Sequence, residues 1–206
     1  KTSIVLSKHK HIKQIQLIKK HYQNISNLPN FNEKYIIYYL HFEPEAAISP
    51  IAGKYSNQLL NIRILASSLP SGWKLYVKEH QSMIGERGFN FYKIISKFHN
   101  VKIVKSNFYK DPKPWIEKSL GVITIAGSTA FEAAMLNKPA IVFGSVFYNV
   151  IPGIKVAHSF EELENLFKTI ESNNWPKDNT IDCAAYLKTI NQFGIALNLN
   201  TLINIS

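Results

Sequence analysis

The chain has 206 residues, 46% of them hydrophobic, which is enough apolar material for the core of one large domain. Its 24 Lys and Arg outnumber its 14 Asp and Glu, and the net charge of +10 fits an anionic partner such as a nucleotide, a phosphosugar or a membrane surface. Genome composition and solubility explain the excess of lysine equally well. The single cysteine, Cys183, excludes an internal disulfide and a multi-cysteine metal site, and no apolar run reaches the roughly 18–20 residues that cross a bilayer.

The first part of the chain differs in pattern from the rest. Residues 4–6 predict a short strand, and residues 11–22 carry isoleucines at helical spacing among Lys, Gln and His, which predicts a basic amphipathic helix. A linker follows at residues 24–32. We therefore expect a basic helix and linker over residues 1–34, and a separate domain over residues 35–206.

From residue 35 onward, apolar strands alternate regularly with helical patterns. We predict strands at 35–40, 73–77, 101–104, 122–125, 140–143 and 155–157, and helices at 56–68, 89–98, 114–118, 129–137, 159–170 and 180–194. This alternation is typical of βαβ units, and continuously apolar strands are covered on both faces. The predicted fold class is α/β, a Rossmann-like parallel sheet with helices on both faces.

A glycine turn links the fourth predicted strand to the helix that follows. Gly127, Ser128 and Thr129 place small hydroxyls and backbone N–H groups at a helix N-terminus, which attracts anions because amides and helix dipole both favour negative charge. Thr129 and Glu132 also match a Thr-x-x-Glu capping box, a purely structural interpretation. The functional alternative has Ser128 and Thr129 at a phosphate and Glu132 at ribose hydroxyls.

Polar residues also follow the second predicted strand. Lys78 and His80 flank Glu79 directly after the apolar run. A solvated rim is one interpretation of this trio. The other is that His80 donates to a phosphate oxygen with help from Lys78, since a neutral imidazole always carries one N–H donor.

The loop after the first strand contains two carboxylates. Glu43 and Glu45 flank Pro44, and closely spaced carboxylates can act as an acid/base pair, although a surface turn explains them more simply. We expect both to belong to a loop beside the site. Gly53 and Tyr55 predict a flexible loop over it.

Several common motifs do not occur in this sequence. The seven histidines show no HExxH or paired spacing, so we expect no protein-held metal and no cofactor. There is no GxSxG elbow, P-loop or GxGxxG, which disfavours hydrolases, kinases and dehydrogenases. No basic run is interleaved with aromatics, so nucleic acid is not an expected partner.

Three segments together carry a family resemblance. LHFEPEAAISPIAGKYSNQ, LPSGWKLYVKEH and GSTAFEAAMLNKPAIVFG, in this order, resemble bacterial capsule and surface-polysaccharide biosynthesis proteins, over about residues 34–155. Members of that family look like GT-B glycosyltransferases, including Kdo-transferring capsule enzymes. In a GT-B enzyme two Rossmann-like domains face a cleft. The resemblance implies that this chain is the C-terminal, donor-binding half.

The resemblance also implies roles for individual residues. His80 corresponds to the histidine of a family His-Pro motif that contacts the donor phosphate, with Gln81 here in place of the proline. Ser128 and Thr129 match a small hydroxyl pair near that phosphate, and Glu132 matches an acidic position in the following helix. The catalytic group itself is not assigned.

The function implied is transfer of a sugar from a nucleotide donor, CMP-Kdo or similar, to a glycan or glycolipid acceptor. We expect an acceptor domain to be missing from this chain, which would make it an inactive fragment in isolation. The expected location is cytoplasmic. A solvated linker is the simpler interpretation of the basic N-terminal helix, and peripheral contact with anionic lipid of the inner membrane is the alternative. Two alternatives stay open: a nucleotide-sugar epimerase of GT-B architecture, and a non-catalytic binding domain of a polysaccharide assembly complex.

Overall fold

The computed structural model describes residues 2–43, 53–106 and 112–193. The six strands are β1 (Lys34–Tyr39), β2 (Trp73–Lys78), β3 (Val101–Ile103), β4 (Gly121–Thr124), β5 (Ala140–Val142) and β6 (Ile154–Val156). The α-helices are α1 (Thr2–Ile25), α2 (Gln58–Ser68), α3 (Phe89–Ile95), α4 (Lys113–Lys118), α5 (Thr129–Met135), α6 (Phe160–Glu171) and α7 (Thr180–Phe193). Short 3₁₀ turns cover Gly53–Ser56, Gln81–Met83 and Phe147–Val150.

All six strands belong to one parallel sheet in the order β3-β2-β1-β4-β5-β6. β1 lies at the centre, where Ile36 pairs with Leu75 of β2 and with Gly121 of β4. The chain fills the sheet outward from β1 to β3, then returns to the other side of β1 and continues to β6. The predicted Rossmann-like α/β class is confirmed, and element bounds from residue 34 onward differ from the prediction by only a few residues.

Side chains alternate between two cores because successive residues of a strand face opposite sides of the sheet. Ile36 and Tyr38 face α2, α3 and α6, whereas Tyr35 and Ile37 face α4, α5 and α7. All four residues are fully buried. The continuous apolar runs in the sequence thus reflect helices on both faces, as expected of a parallel sheet.

The N-terminal segment is one helix, and the short strand predicted at residues 4–6 is wrong. Three apolar residues without a partner strand leave their N–H and C=O groups unpaired, while extending a helix satisfies those groups internally. α1 is also attached to the sheet: Tyr22 donates to the Val104 carbonyl and stacks edge-on against Tyr92 of α3 at 5.1 Å. Its buried residues Ile18 and Tyr22 belong to the same core as Ile36 and Tyr38 of β1.

The outward surface of α1 is basic. The helix contains no Asp or Glu, and Lys10, Lys13, Lys19 and Lys20 are all exposed. Of the helices in the described ranges, none combines the length and apolar character that crossing a membrane requires. Contact of this helix with a membrane surface stays a prediction.

The packing of β4 against the chain entering β5 predicts a large effect of one methyl group. A Cβ added at Gly121 would lie 2.7 Å from the Pro139 carbonyl oxygen and 3.0 Å from Pro139 Cβ. Gly121→Ala must therefore push β4 away from the start of β5. We expect a loss of about 1–3 kcal/mol in unfolding free energy, measured by urea denaturation.

Gly88→Ala is the matched control. Gly88 precedes α3 with φ −55°, and nothing lies within 4 Å of an added Cβ. Its unfolding free energy should change by only a few tenths of a kcal/mol. Equal stabilities for the two variants would show that β4 does not pack as described.

Candidate functional site

The described residues form a cavity where the strand order of the sheet reverses. β1 and β4 are neighbours, but the chain leaves them toward opposite sides of the sheet, so their carboxyl ends open a crevice. A cavity of about 380 Å³ occupies this point. We call it the switch-point cavity, and it is lined by Tyr39, Leu40, His41, Phe42, His80, Thr124, Gly127, Ser128 and Thr129. Its volume is in the range of small-molecule sites.

Four of the residues singled out in the sequence meet in this cavity: His80, Gly127, Ser128 and Thr129. They come from two loops that are 47 positions apart in the sequence, after β2 and after β4. The parallel sheet brings them together because it places the carboxyl ends of its strands along one edge. Their roles as ligand contacts remain predictions.

His80 lies exposed at the rim, where it caps the short turn Gln81–Met83. Its Nδ1 accepts a hydrogen bond from the Ser82 backbone N–H at 3.3 Å, and its ring lies 6.0 Å from that of Phe42. A neutral imidazole that accepts at Nδ1 carries its proton on Nε2. His80 can therefore donate a hydrogen bond from Nε2.

The glycine turn differs from the predicted capping box, which is wrong. The N-cap of α5 is Ser128, whose φ of −55° and ψ of −19° are already helical, and no side chain caps the helix. Thr129 is thus the first helical residue and does not precede the helix. The Glu132 carboxylate instead accepts a hydrogen bond from Ser128 Oγ at 3.3 Å.

Lys78 and Glu132 do not line the switch-point cavity. Lys78 pairs with Tyr39 and alternates with Val77, so its side chain is on the α4 and α5 face of the sheet, where burial lowers the pKa of its ammonium group. Glu132 lines a separate groove of about 330 Å³ with Pro112, Lys113, Ile116, Met135 and Leu136. Its connection to the cavity runs through Ser128.

The carboxylate loop after β1 is only partly described. Glu43 forms an ion pair with Arg87 Nη1 at 2.6 Å, and its other oxygen accepts from Gln58 Nε2. Glu45 lies outside the described residues, so the predicted Glu43–Glu45 pair cannot be located.

Tyr55 belongs to the hydrophobic core, and the prediction that it lies on a flexible loop over the site is wrong. Its ring stacks on Phe143 at 4.7 Å and is buried. The reason is that the turn Gly53–Ser56 leads directly into α2, which packs against the sheet.

His41 is a site residue that the sequence reasoning did not single out. Its Nε2 lies 2.7 Å from Thr124 Oγ1 and 3.3 Å from the Ile125 backbone N. Because the Ile125 N–H can only donate, Nε2 accepts and the ring proton is on Nδ1. Thr124 in turn accepts from the Gly127 N–H at 3.2 Å. A polar residue directly after a buried strand was the available signal.

Gly127 is required by this arrangement. A Cβ at that position would lie 2.7 Å from Thr124 Oγ1 and 3.3 Å from His41 Cε1.

Burial, and then the charges of His80 and Arg87, lower the pKa of His41 to about 4. At neutral pH the ring is therefore uncharged and holds the β1 loop to the glycine turn.

A buried ion pair, also missed from the sequence, lies behind the cavity. Glu79 and Arg87 are each 4% exposed. Arg87 Nε donates to Glu79 Oε2 at 2.7 Å, and Tyr92 donates to the same oxygen at 2.8 Å. Arg87 also reaches Glu43, so a half-exposed carboxylate and a buried one share one guanidinium.

Two buried hydroxyls on the cavity wall lack partners. Tyr39 Oη and Thr129 Oγ1 make no hydrogen bond with any described residue. Burial, and then the charge of Glu132, raise the pKa of Tyr39, so its phenol stays protonated as a donor. Buried polar atoms without partners are rare and costly.

A larger cavity lies at the opposite edge of the sheet. It measures about 570 Å³ and is formed by residues 66–74 and 98–100. Its wall consists largely of connecting loops. It lacks the two histidines that line the switch-point cavity and the partnerless hydroxyls of Tyr39 and Thr129. We therefore take the smaller cavity as the candidate site. In the described ranges no cluster of three or more His, Cys, Asp or Glu could hold a metal ion.

The depressed pKa of His41 predicts how stability depends on pH. In the unfolded chain His41 takes up a proton near its usual value of 6.5, whereas in the folded protein it does so only near pH 4. Stability should therefore fall as pH drops through this window, by about 2 kcal/mol between pH 7 and pH 5 from this residue.

His41→Gln removes that titration. Urea unfolding at pH 7 and pH 5 should show a smaller loss of stability for the variant than for the wild type. The comparison cancels the other histidines, which are common to both proteins. Equal losses would mean that His41 is not held neutral by the fold.

Comparison with known proteins identifies relatives. The sequence profile of the family described as capsule polysaccharide biosynthesis protein matches residues 1–172. A KpsC β-Kdo 2,7-transferase from Thermosulfurimonas dismutans is similar in structure, with a TM-score of 0.50 and 15% identity over 73% of this chain and 47% of that one. UDP-GlcNAc 2-epimerase from Neisseria meningitidis gives a TM-score of 0.51 and 17% identity, over 88% and 52%.

The chain thus spans about half the length of each of these two enzymes. At such identities the likeness shows the fold alone, which is the Rossmann-like sheet expected for one half of a GT-B architecture. No curated protein sequence matches the chain. The family profile, however, covers every strand and both loops of the switch-point cavity, and the chain belongs to the capsule polysaccharide biosynthesis protein family.

Proposed function

We propose that this chain binds a nucleotide sugar in the switch-point cavity, as the donor-binding part of a glycosyltransferase for capsule or surface polysaccharide. One observation carries the proposal: the cavity lies at the reversal of strand order and is lined by His80 together with Tyr39 and Thr129, two residues whose hydroxyls have no partner. Crevices at this point of an open α/β sheet commonly bind nucleotides. Membership of a polysaccharide-biosynthesis family supports a sugar-bearing ligand.

The donor phosphates would contact the rim of the cavity. His80 carries an N–H, Ser128 and Thr129 carry hydroxyls, and all three residues line the cavity. The net charge of +10 supplies a favourable long-range potential for a phosphate-bearing ligand. Lys78 adds positive charge from the neighbouring face. Glu132 accepts the one hydroxyl proton of Ser128, so Ser128 would donate to a phosphate only after exchanging that acceptor for the ligand.

Sugar transfer leaves negative charge on the departing nucleotide. Donors fixed before the reaction stabilise that charge without reorganisation, and this is the contribution we assign to His80 and Thr129. His41 keeps the glycine turn in place through Thr124. Glu43 is not assigned as a base, because both of its oxygens already accept hydrogen bonds.

The donor in this proposal is CMP-Kdo or a similar nucleotide sugar, and the acceptor is a glycan or glycolipid. The acceptor would bind to a second half that these residues do not include, in line with the half-length coverage of the two solved enzymes. The fold alone serves both sugar transfer and epimerisation. Conversion of a nucleotide sugar without any acceptor would favour the epimerase alternative.

Titration calorimetry with CMP and UDP tests the proposal on the 206-residue chain. We expect binding of at least one nucleotide, weakened about tenfold or more by His80→Ala and by Thr129→Val. Each variant removes one donor to a charged ligand, and such bonds are worth about 1.5–3 kcal/mol, where about 1.4 kcal/mol is tenfold in affinity.

His99→Ala is the matched control, since His99 is an exposed histidine at the opposite edge of the sheet. The nucleotide affinity of His99→Ala should stay within twofold of that of the wild type. If the folded chain binds neither nucleotide, or if His99→Ala weakens binding as much as His80→Ala, the proposal fails.

A further inference from the structure

We propose that Arg87 is the positioning residue of the switch-point cavity, because its guanidinium fixes both loops that carry the cavity's histidines. The effect of Arg87 on nucleotide binding rests on the proposed function. Arg87 itself does not line the cavity. It acts through the backbone and carboxylates of the loops after β1 and β2.

The loop after β1 is held from two directions. Arg87 Nη2 donates to the His41 carbonyl at 2.8 Å, and Nη1 donates to Glu43 Oε2 at 2.6 Å. Gln58 of α2 holds the same loop, since its Oε1 accepts from the His41 N–H at 2.7 Å. His41 therefore has its backbone fixed on one side and its ring bonded to Thr124 on the other.

The loop after β2 is held through Glu79. Arg87 binds both carboxylate oxygens, with Nε to Oε2 at 2.7 Å and Nη2 to Oε1 at 3.2 Å. Glu79 Oε1 also accepts the His80 backbone N–H at 2.8 Å. The Arg87 guanidinium thus binds the backbone of His41 directly and is linked to the backbone of His80 through the Glu79 carboxylate.

The surroundings of Arg87 leave it little freedom. It is 4% exposed, and its guanidinium lies over the Phe91 ring at 4.7 Å. Although burial opposes the charge, the Glu79 and Glu43 carboxylates raise the pKa of Arg87, so it remains a cation. Buried charges are tolerated only when they are fully paired, and here every nitrogen of the guanidinium has an acceptor.

Lysine cannot reproduce this geometry. Arg presents a planar fork that contacts several acceptors at fixed angles, whereas Lys has a single nitrogen on a flexible stem. Arg87→Lys keeps the positive charge beside Glu79 but cannot reach Glu79, Glu43 and the His41 carbonyl together. Small displacements of binding groups cost large factors in affinity. We expect Arg87→Lys to weaken nucleotide binding about tenfold.

The competing explanation is that Arg87 only stabilises the fold. Phe167→Leu separates the two roles, because Phe167 is buried on α6 against Trp73, the first residue of β2, at the far end of the strand from His80. It should lower the melting temperature without moving the histidine loops. Arg63→Lys, at an exposed arginine of α2, controls for the substitution itself.

The experiment compares the wild type with Arg87→Lys, Phe167→Leu and Arg63→Lys by thermal unfolding, CMP and UDP calorimetry, and ¹H–¹⁵N spectra of the histidine rings without ligand. In Arg87→Lys the ring signals of His41 and His80 should shift and the affinity should fall about tenfold. In the two other variants the signals should stay in place and the affinity should remain within twofold, even if Phe167→Leu melts earlier.

The outcomes separate this inference from the proposed function. Unchanged His41 and His80 signals in folded Arg87→Lys overturn the positioning role, whether or not any nucleotide binds. An affinity loss in Phe167→Leu equal to that in Arg87→Lys also overturns it, since the effect would then follow stability. If the wild type binds no nucleotide while the ring signals shift as expected, the proposed function fails and the positioning of the loops stands.

Discussion

The hydrogen bond between His41 and Thr124 is the interaction on which the candidate site depends. It joins the end of β1 to the end of β4, the two strands between which the chain changes direction across the sheet. Without it the crevice at that point would be bounded by two independent loops. With it, the ring of His41 sets the position of the glycine turn, and Gly127 leaves the space that the ring and hydroxyl occupy.

The charges of the protein act at two distances. Excess lysine over the surface, including the acid-free helix α1, gives a long-range attraction for anions but does not say where an anion would bind. Among the described residues, the cavity itself is lined by imidazoles and hydroxyls and by no Lys or Arg side chain. The ion pair of Arg87 with Glu79 is buried and serves the geometry of the loops.

The site residues that sequence reasoning located were those with a local signature. Gly127, Ser128 and Thr129 follow an apolar strand in a small-residue turn, and His80 ends another strand, so both segments could be placed at the sheet edge. The capping-box interpretation of Thr129 fails because capping depends on backbone dihedrals, and Ser128 is already helical. Lys78 was grouped with His80 by proximity in sequence, but its side chain does not line the cavity.

The sequence by itself determined the parallel sheet with helices on both faces, because alternating apolar strands and helices can be buried in few other ways. Its local patterns also placed the glycine turn and His80 at strand ends. Only the tertiary structure decided which side chains meet: His41 with Thr124, Arg87 with Glu43 and Glu79, and Tyr39 with Thr129 around one cavity. The hydrogen bonds among these side chains join positions up to 83 residues apart, and no local preference encodes them.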